Sequence, residues 1–105
     1  MKHFSVFQIK DDAANARYIK FSGLELLERM GLRDQLSIDI YNKVYEGDIE
    51  ENGTTDGTLD NIFTTLNIGK KPEGYKGHSL SVSDVIKMDG KYYYVDDYGF
   101  EEVKL

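Results

Sequence analysis

The stretch Leu80-Ser81-Val82-Ser83-Asp84-Val85-Ile86-Lys87-Met88-Asp89-Gly90-Lys91-Tyr92-Tyr93-Tyr94-Val95 decides the fold. Two apolar runs flank Asp89-Gly90, and an Asp-Gly pair supplies the positive φ angles of the tight turn between twisted antiparallel strands. Leu80, Val82, Val85 and Ile86 read as the outgoing strand, and Tyr92 to Val95 as its return. Beyond Gly99 a last short strand runs from Phe100 to Val103. A hairpin at this position commits the sheet to antiparallel pairing.

Upstream, Thr58 is predicted to start a helix with apolar residues at Leu59, Ile62, Phe63 and Leu66, spaced i, i+3, i+4 and i+7. These four should bury against the sheet, with Gly69 past the helix end. Phe4 to Lys10 carries β-branched and aromatic residues and reads as a first strand. Asp11 and Asp12 can cap a helix beginning near Ala13, its apolar face at Ala14, Tyr18 and Phe21. After a break at Ser22-Gly23, Leu24, Leu27 and Met30 resume helical spacing until Gly31. Ile38 to Ile49 is predicted to be a strand from about Tyr41, and Glu46 to Asp60 a solvated acidic loop. The order β-α-α-β-α-β-β-β predicts a small α+β domain with a mainly antiparallel sheet and two or three helices, one unit over residues 1–105.

Thirteen Lys and Arg against nineteen Asp and Glu leave a net charge of −6. That excludes binding nucleic acid by bulk phosphate neutralisation and disfavours anionic membranes. Without cysteine there is no disulfide, thiol nucleophile or Cys-type metal site. No apolar run approaches a membrane span, and Met1-Lys2-His3-Phe4 lacks a signal peptide's apolar stretch. A cytoplasmic location is expected.

Three motifs resemble chemical sites. Asp48, Glu50, Asn52, Gly53, Thr54 and Asp56 fall at calcium-loop offsets, but the twelfth position is Leu59 rather than a bidentate Glu. Gly69-Lys70 resembles the end of a phosphate loop; Thr64 and Lys71 occupy the places of its first glycine and its hydroxyl residue. In Gly77-His78-Ser79-Leu80-Ser81-Val82-Ser83-Asp84, strand alternation puts His78 on the face opposite Ser79 and Ser81. A triad needs histidine within reach of the hydroxyl. The better reading is architectural, with Ser81, Ser83 and Asp84 bonded to backbone at a loop-to-strand junction. No catalytic residue, metal or cofactor is expected; His3 has no partner pattern, and Asp96-Asp97 before Gly99 reads as a solvated turn.

The tyrosines, eight among thirteen aromatics, concentrate in the return strand. Tyr92 and Tyr94 share one face and Tyr93 and Val95 the other. Either one face exposes a ring suited to a protein interface, or a helix covers both. Tyr92, Tyr94, Asp96, Asp97 and Tyr98 are therefore the candidate interface.

The motif Gly77-His78-Ser79-Leu80-Ser81-Val82-Ser83-Asp84-Val85-Ile86, with Gly90, Tyr93-Tyr94-Val95-Asp96 and Gly99-Phe100, resembles the YodL-like domain family. Blocks at Ala16–Phe21, Tyr41–Gly47, Thr58–Phe63 and Pro72–Gly77 follow in the family's order. Gly77, His78, Ser79, Ser81, Ser83, Asp84, Gly99 and Phe100 form the family motif. The sequence departs from the family at Asp97-Tyr98, where a serine and a phenylalanine are expected, and at Leu66-Asn67. The resemblance implies an accessory of mobile elements, conjugative or phage-borne, in Gram-positive bacteria, and it supplies no catalytic residue. The expected activity is non-enzymatic binding of a host or element-encoded protein, with self-association also open. An acidic, DNA-mimicking inhibitor of a host defence system is the alternative, resting on the charge and the Glu46–Asp60 block; a small enzyme ranks third.

Overall fold

The computed structural model describes residues 1–105. Five antiparallel strands form one sheet: β1 (Lys2–Ile9), β2 (Tyr41–Ile49), β3 (Val85–Met88), β4 (Lys91–Val95) and β5 (Phe100–Val103), in the spatial order β2-β1-β3-β4-β5. Helices α1 (Ala16–Ile19) and α2 (Leu24–Arg29) and two 3₁₀ turns, Arg33–Gln35 and Ile38–Ile40, lie between β1 and β2; α3 (Thr55–Asn67) lies between β2 and β3. The predicted element order and α+β class hold. Asp89 and Gly90, at φ 56 and 76, make the tight turn expected between β3 and β4.

Alternation along β1 assigns the two faces. Phe4 and Val6 join Ile86, Met88, Tyr93 and Val95 on one face, where Leu59, Ile62 and Leu66 of α3 cover them. Ile9, Val85, Tyr94 and Val103 point the other way, beneath Ala16, Ile19, Leu24 and Leu27 of α1 and α2. The sheet is thus covered on both sides, which resolves the tyrosine strand in favour of covered rings.

Several boundaries and faces differ from the sequence reading. Strand β2 has the predicted span, Tyr41–Ile49, and it is the loop expected from Glu46 that gives way, because each residue from Lys43 to Ile49 except Val44 has a register partner on β1; Val44 is the bulge residue. Helix α3 begins at Thr55, with Thr54 Oγ1 accepting from Gly57 N–H at 2.9 Å, so the acidic loop shrinks to a few residues. Phe63 is half-buried at the helix edge, set edge-on to Phe100 at 6.5 Å, and is not a full core residue. The α1 cap is Asn15, with a left-handed backbone, and Asp11 pairs with Lys20 instead of capping. Ala16 and Ile19 are the buried face of α1, while Tyr18 and Phe21 are exposed. The outgoing strand starts at Val85; Leu80 to Asp84 turns instead, with Ser83 at φ 85, so strand alternation does not govern the serines.

Candidate functional site

Gln8 lies on the face of Phe4 and Val6, a polar side chain 4% exposed at an inward position. Its amide holds the turn that precedes β3. Gln8 Nε2 donates to His78 O at 2.9 Å and to Asp84 Oδ2 at 3.0 Å, and Gln8 Oε1 accepts from His78 N–H at 3.2 Å. Tyr75 Oη donates to the same His78 carbonyl at 2.8 Å. Gly77 is required by close approach: a Cβ there would stand 2.1 Å from Gln8 Oε1. Sequence reasoning missed Gln8; the signal is a polar residue in phase with Phe4 and Val6.

The rest of the motif closes on its own backbone. Asp84 Oδ2 also accepts from Ser81 N–H at 2.9 Å, and Asp84 O accepts from Val95 N–H at 2.8 Å. Ser83 Oγ accepts from Phe21 N–H at 3.0 Å, while Tyr41 Oη donates to Ser83 O at 2.8 Å. Phe21 and Ser83, joined by that bond, both have left-handed φ, 66 and 85. Such backbone costs of order 1–3 kcal/mol per residue and persists where the surroundings over-determine it. Ser81 departs from expectation: its N–H is engaged, but its Oγ is buried without a partner.

Asp84 is 1% exposed. Burial pushes its carboxyl up from 3.8 to about 6, against the opposing pull of the Ser81 hydrogen bond and the His78 and Lys20 charges. Tyr75 is likewise raised, to about 12, by burial. His78 lines an open polar cleft of about 260 Å³ with Gln8, Asp11, Lys20, Asn42 and Lys76, and Phe21 sits tilted against its ring at 5.7 Å. Ser81 and Asp84 do not line this cleft. The imidazole Nδ1 lies 2.7 Å from Ser79 O, and Gln8 stands between His78 and Asp84. A serine, histidine and carboxylate in relay are not assembled here.

The candidate interface residues separate into two groups. Tyr94 is fully buried and its Oη donates to Ser22 O at 2.7 Å; burial, with Asp96 adding to it, holds the phenol well above its ordinary range. It is part of the core and presents nothing to a partner. Tyr92 is half-buried, its ring beside Phe7 and beneath Lys87 Nζ at 5.3 Å. Asp96 Oδ1 accepts from Leu24 N–H at 3.0 Å, tying the β4–β5 turn to the start of α2, and from Asp97 N–H at 2.9 Å. Asp97 and Tyr98 are exposed, Tyr98 at 97%. Phe100 and Gly99 line a second concavity beside α3.

The acids of the Glu46–Asp60 block do not share a face. Glu46 and Asp48, on the outer strand β2, contact the His3 ring at 3.1 and 3.0 Å, and Glu51 pairs with Lys2 at 3.4 Å. Hydrogen bonds to Asp48 and then Glu46 raise the His3 pKa. Asp60 lies at the opposite end of the sheet, beside Phe100 of β5. No group of three His, Asp or Glu side chains is arranged to hold a metal ion, and no helix is long and apolar enough to cross a membrane.

These features define a small α+β domain whose most distinctive sequence motif is built into a buried turn. The YodL-like domain model matches residues 3–105, so the chain belongs to the YodL-like domain family. No curated protein and no solved structure matches it.

Proposed function

We propose that the domain is a non-enzymatic protein-interaction module, serving as an accessory of a mobile element, and that it works through the β4–β5 turn. The observation that carries the reading is Tyr98. A large amphipathic ring held 97% exposed on a turn pinned to α2 by Asp96 is poorly explained by folding alone and suits an interface anchor. The mobile-element setting rests on the family resemblance. Distribution of the acidic block over both ends of the sheet gives no support to the DNA-mimic alternative, which needs carboxylates in one phosphate-like row. Affinity capture from a Gram-positive lysate at low and high salt, with wild type beside Tyr98→Ala, tests the reading. Loss of a reproducible partner in the variant, with unchanged melting, is expected. Turnover of a substrate by the pure domain, or capture indifferent to Tyr98, contradicts it.

A further inference from the structure

The two edges of the sheet are unequal. On β2 the loop from Pro72 to Gly77 meets the edge at its bulge, where Lys76 N–H donates to Val44 O at 2.9 Å. On β5 nothing does. Val95 directs both its backbone groups toward residues 83 and 84, so its β5 partner Phe100 cannot bond back to β4. By the two-residue alternation of an antiparallel pair, Phe100 and Glu102 turn their N–H and C=O groups outward. An open edge of this kind is a template for an added strand.

Beside that edge lies a concavity of about 230 Å³. Its floor is apolar, formed by Phe63, Val95 and Phe100, and its rim is acidic, formed by Asp60, Asp96 and Asp97. Amide donors engage Asp96. The Asp60 and Asp97 carboxylates have no cationic partner, and Glu101 is exposed on β5 itself. A side chain with an apolar stem and a cationic head fits an aromatic floor under carboxylates.

We propose that the β5 edge takes an extended basic segment of a partner protein as a sixth strand, seating a Lys or Arg side chain against Phe63 and Phe100 under Asp60 and Asp97. This rests on the reading of the domain as an interaction module and names the chemistry of its partner. The ladder supplies affinity without sequence preference, and the acid-rimmed concavity selects a cation at one position of the added strand. Tyr98 stands at the entrance to the same edge.

The test is a titration of the ¹⁵N-labelled domain with a capped octapeptide alternating Lys and Val. Controls are the same peptide with Glu in place of Lys, and one N-methylated at alternate amides. The Lys peptide is expected to shift the amides of Phe100 to Val103 and of Asp60 and Phe63, and both controls to lose this. Asp60→Asn with Asp97→Asn should weaken binding at least about fivefold at low salt while leaving melting unchanged. Shifts elsewhere, equal binding of the Glu peptide, indifference to N-methylation, or no shift at millimolar peptide overturns the proposal. If a partner is still captured through Tyr98 in that event, strand addition is wrong and the interaction-module reading stands. If neither occurs, both fall.

Discussion

Two turns in this domain have similar composition. Gly77 to Asp84 and Asp96 to Gly99 both place short polar residues beside glycine, and both carry part of the family motif. In the first, the His78 and Ser79 side chains stay exposed, but the carboxylate of Asp84, the hydroxyl of Ser83 and both backbone groups of His78 turn inward and are held by Gln8, Ser81, Phe21 and Tyr75. In the second, Asp96 is hydrogen-bonded to the fold and the exposed Asp97 rests its carboxylate against Gly23, while Tyr98 faces solvent. The difference teaches that a polar motif can be specific because the backbone it serves is buried. A buried turn needs particular donors and acceptors at particular places, since unmet groups there are costly. An exposed turn is satisfied by water, so a ring such as Tyr98 on it calls for another explanation.

That contrast is broken most readily at Asp84. Asp84→Ala removes the acceptor for Ser81 N–H and Gln8, and is expected to cost about 1.5–3 kcal/mol of unfolding free energy, relief of the buried charge offsetting part of the loss. Unchanged stability by denaturant titration would make the first turn as dispensable as the second.

The same carboxyl gives a pH dependence of about the same size. Its folded pKa is near 6 against an ordinary 3.8, so the folded chain holds the proton more tightly than the unfolded chain. The contribution is therefore greatest below about pH 4 and falls as pH rises through 6, by on the order of 3 kcal/mol. Asp84→Asn keeps an acceptor oxygen and removes the charge. It should abolish this fall, so that wild-type and variant stability differ less at pH 4 than at pH 7.

Tyr94→Phe is a smaller perturbation on the border between the two turns. It removes the hydroxyl that donates to Ser22 O, and should cost about 1 kcal/mol with no effect on partner capture. Loss of capture without loss of stability would return Tyr94 to the interface. Smallest in stability is Tyr98→Ala, expected within about 0.5 kcal/mol of wild type in thermal melting.

The sequence was legible where one local rule sufficed. Asp89-Gly90 between apolar runs located the hairpin, and the spacing of Leu59, Ile62 and Leu66 located α3 and its buried face. Reading failed where a tertiary partner overrides propensity. The acidic loop read from Glu46 starts later than its composition suggests, since Glu46 to Ile49 stay in the strand paired with β1. The buried face of α1 was inverted, since Ala16 and Ile19 are placed by left-handed Asn15, a backbone state that spacing does not reveal. Whether the second face of the tyrosine strand is covered depends on residues about seventy positions earlier, as Ser22 and Leu24 show. Of the candidate interface, Asp97 and Tyr98 are exposed; Tyr94 was misplaced for that reason, and Gln8 was missed because its partners come from the far end of the chain.

The measurement that tests the central contrast most directly is residue-resolved amide hydrogen exchange of the free domain under native conditions. The amides of Ser83, Asp84 and Val95 donate to backbone acceptors within the buried turn and β4, and should exchange only with global unfolding. Those of Phe100 and Glu102 face outward on the open edge and should exchange near the rate of an unstructured chain. Protected Phe100 and Glu102 amides, or rapid exchange at Ser83 and Asp84, would contradict the account.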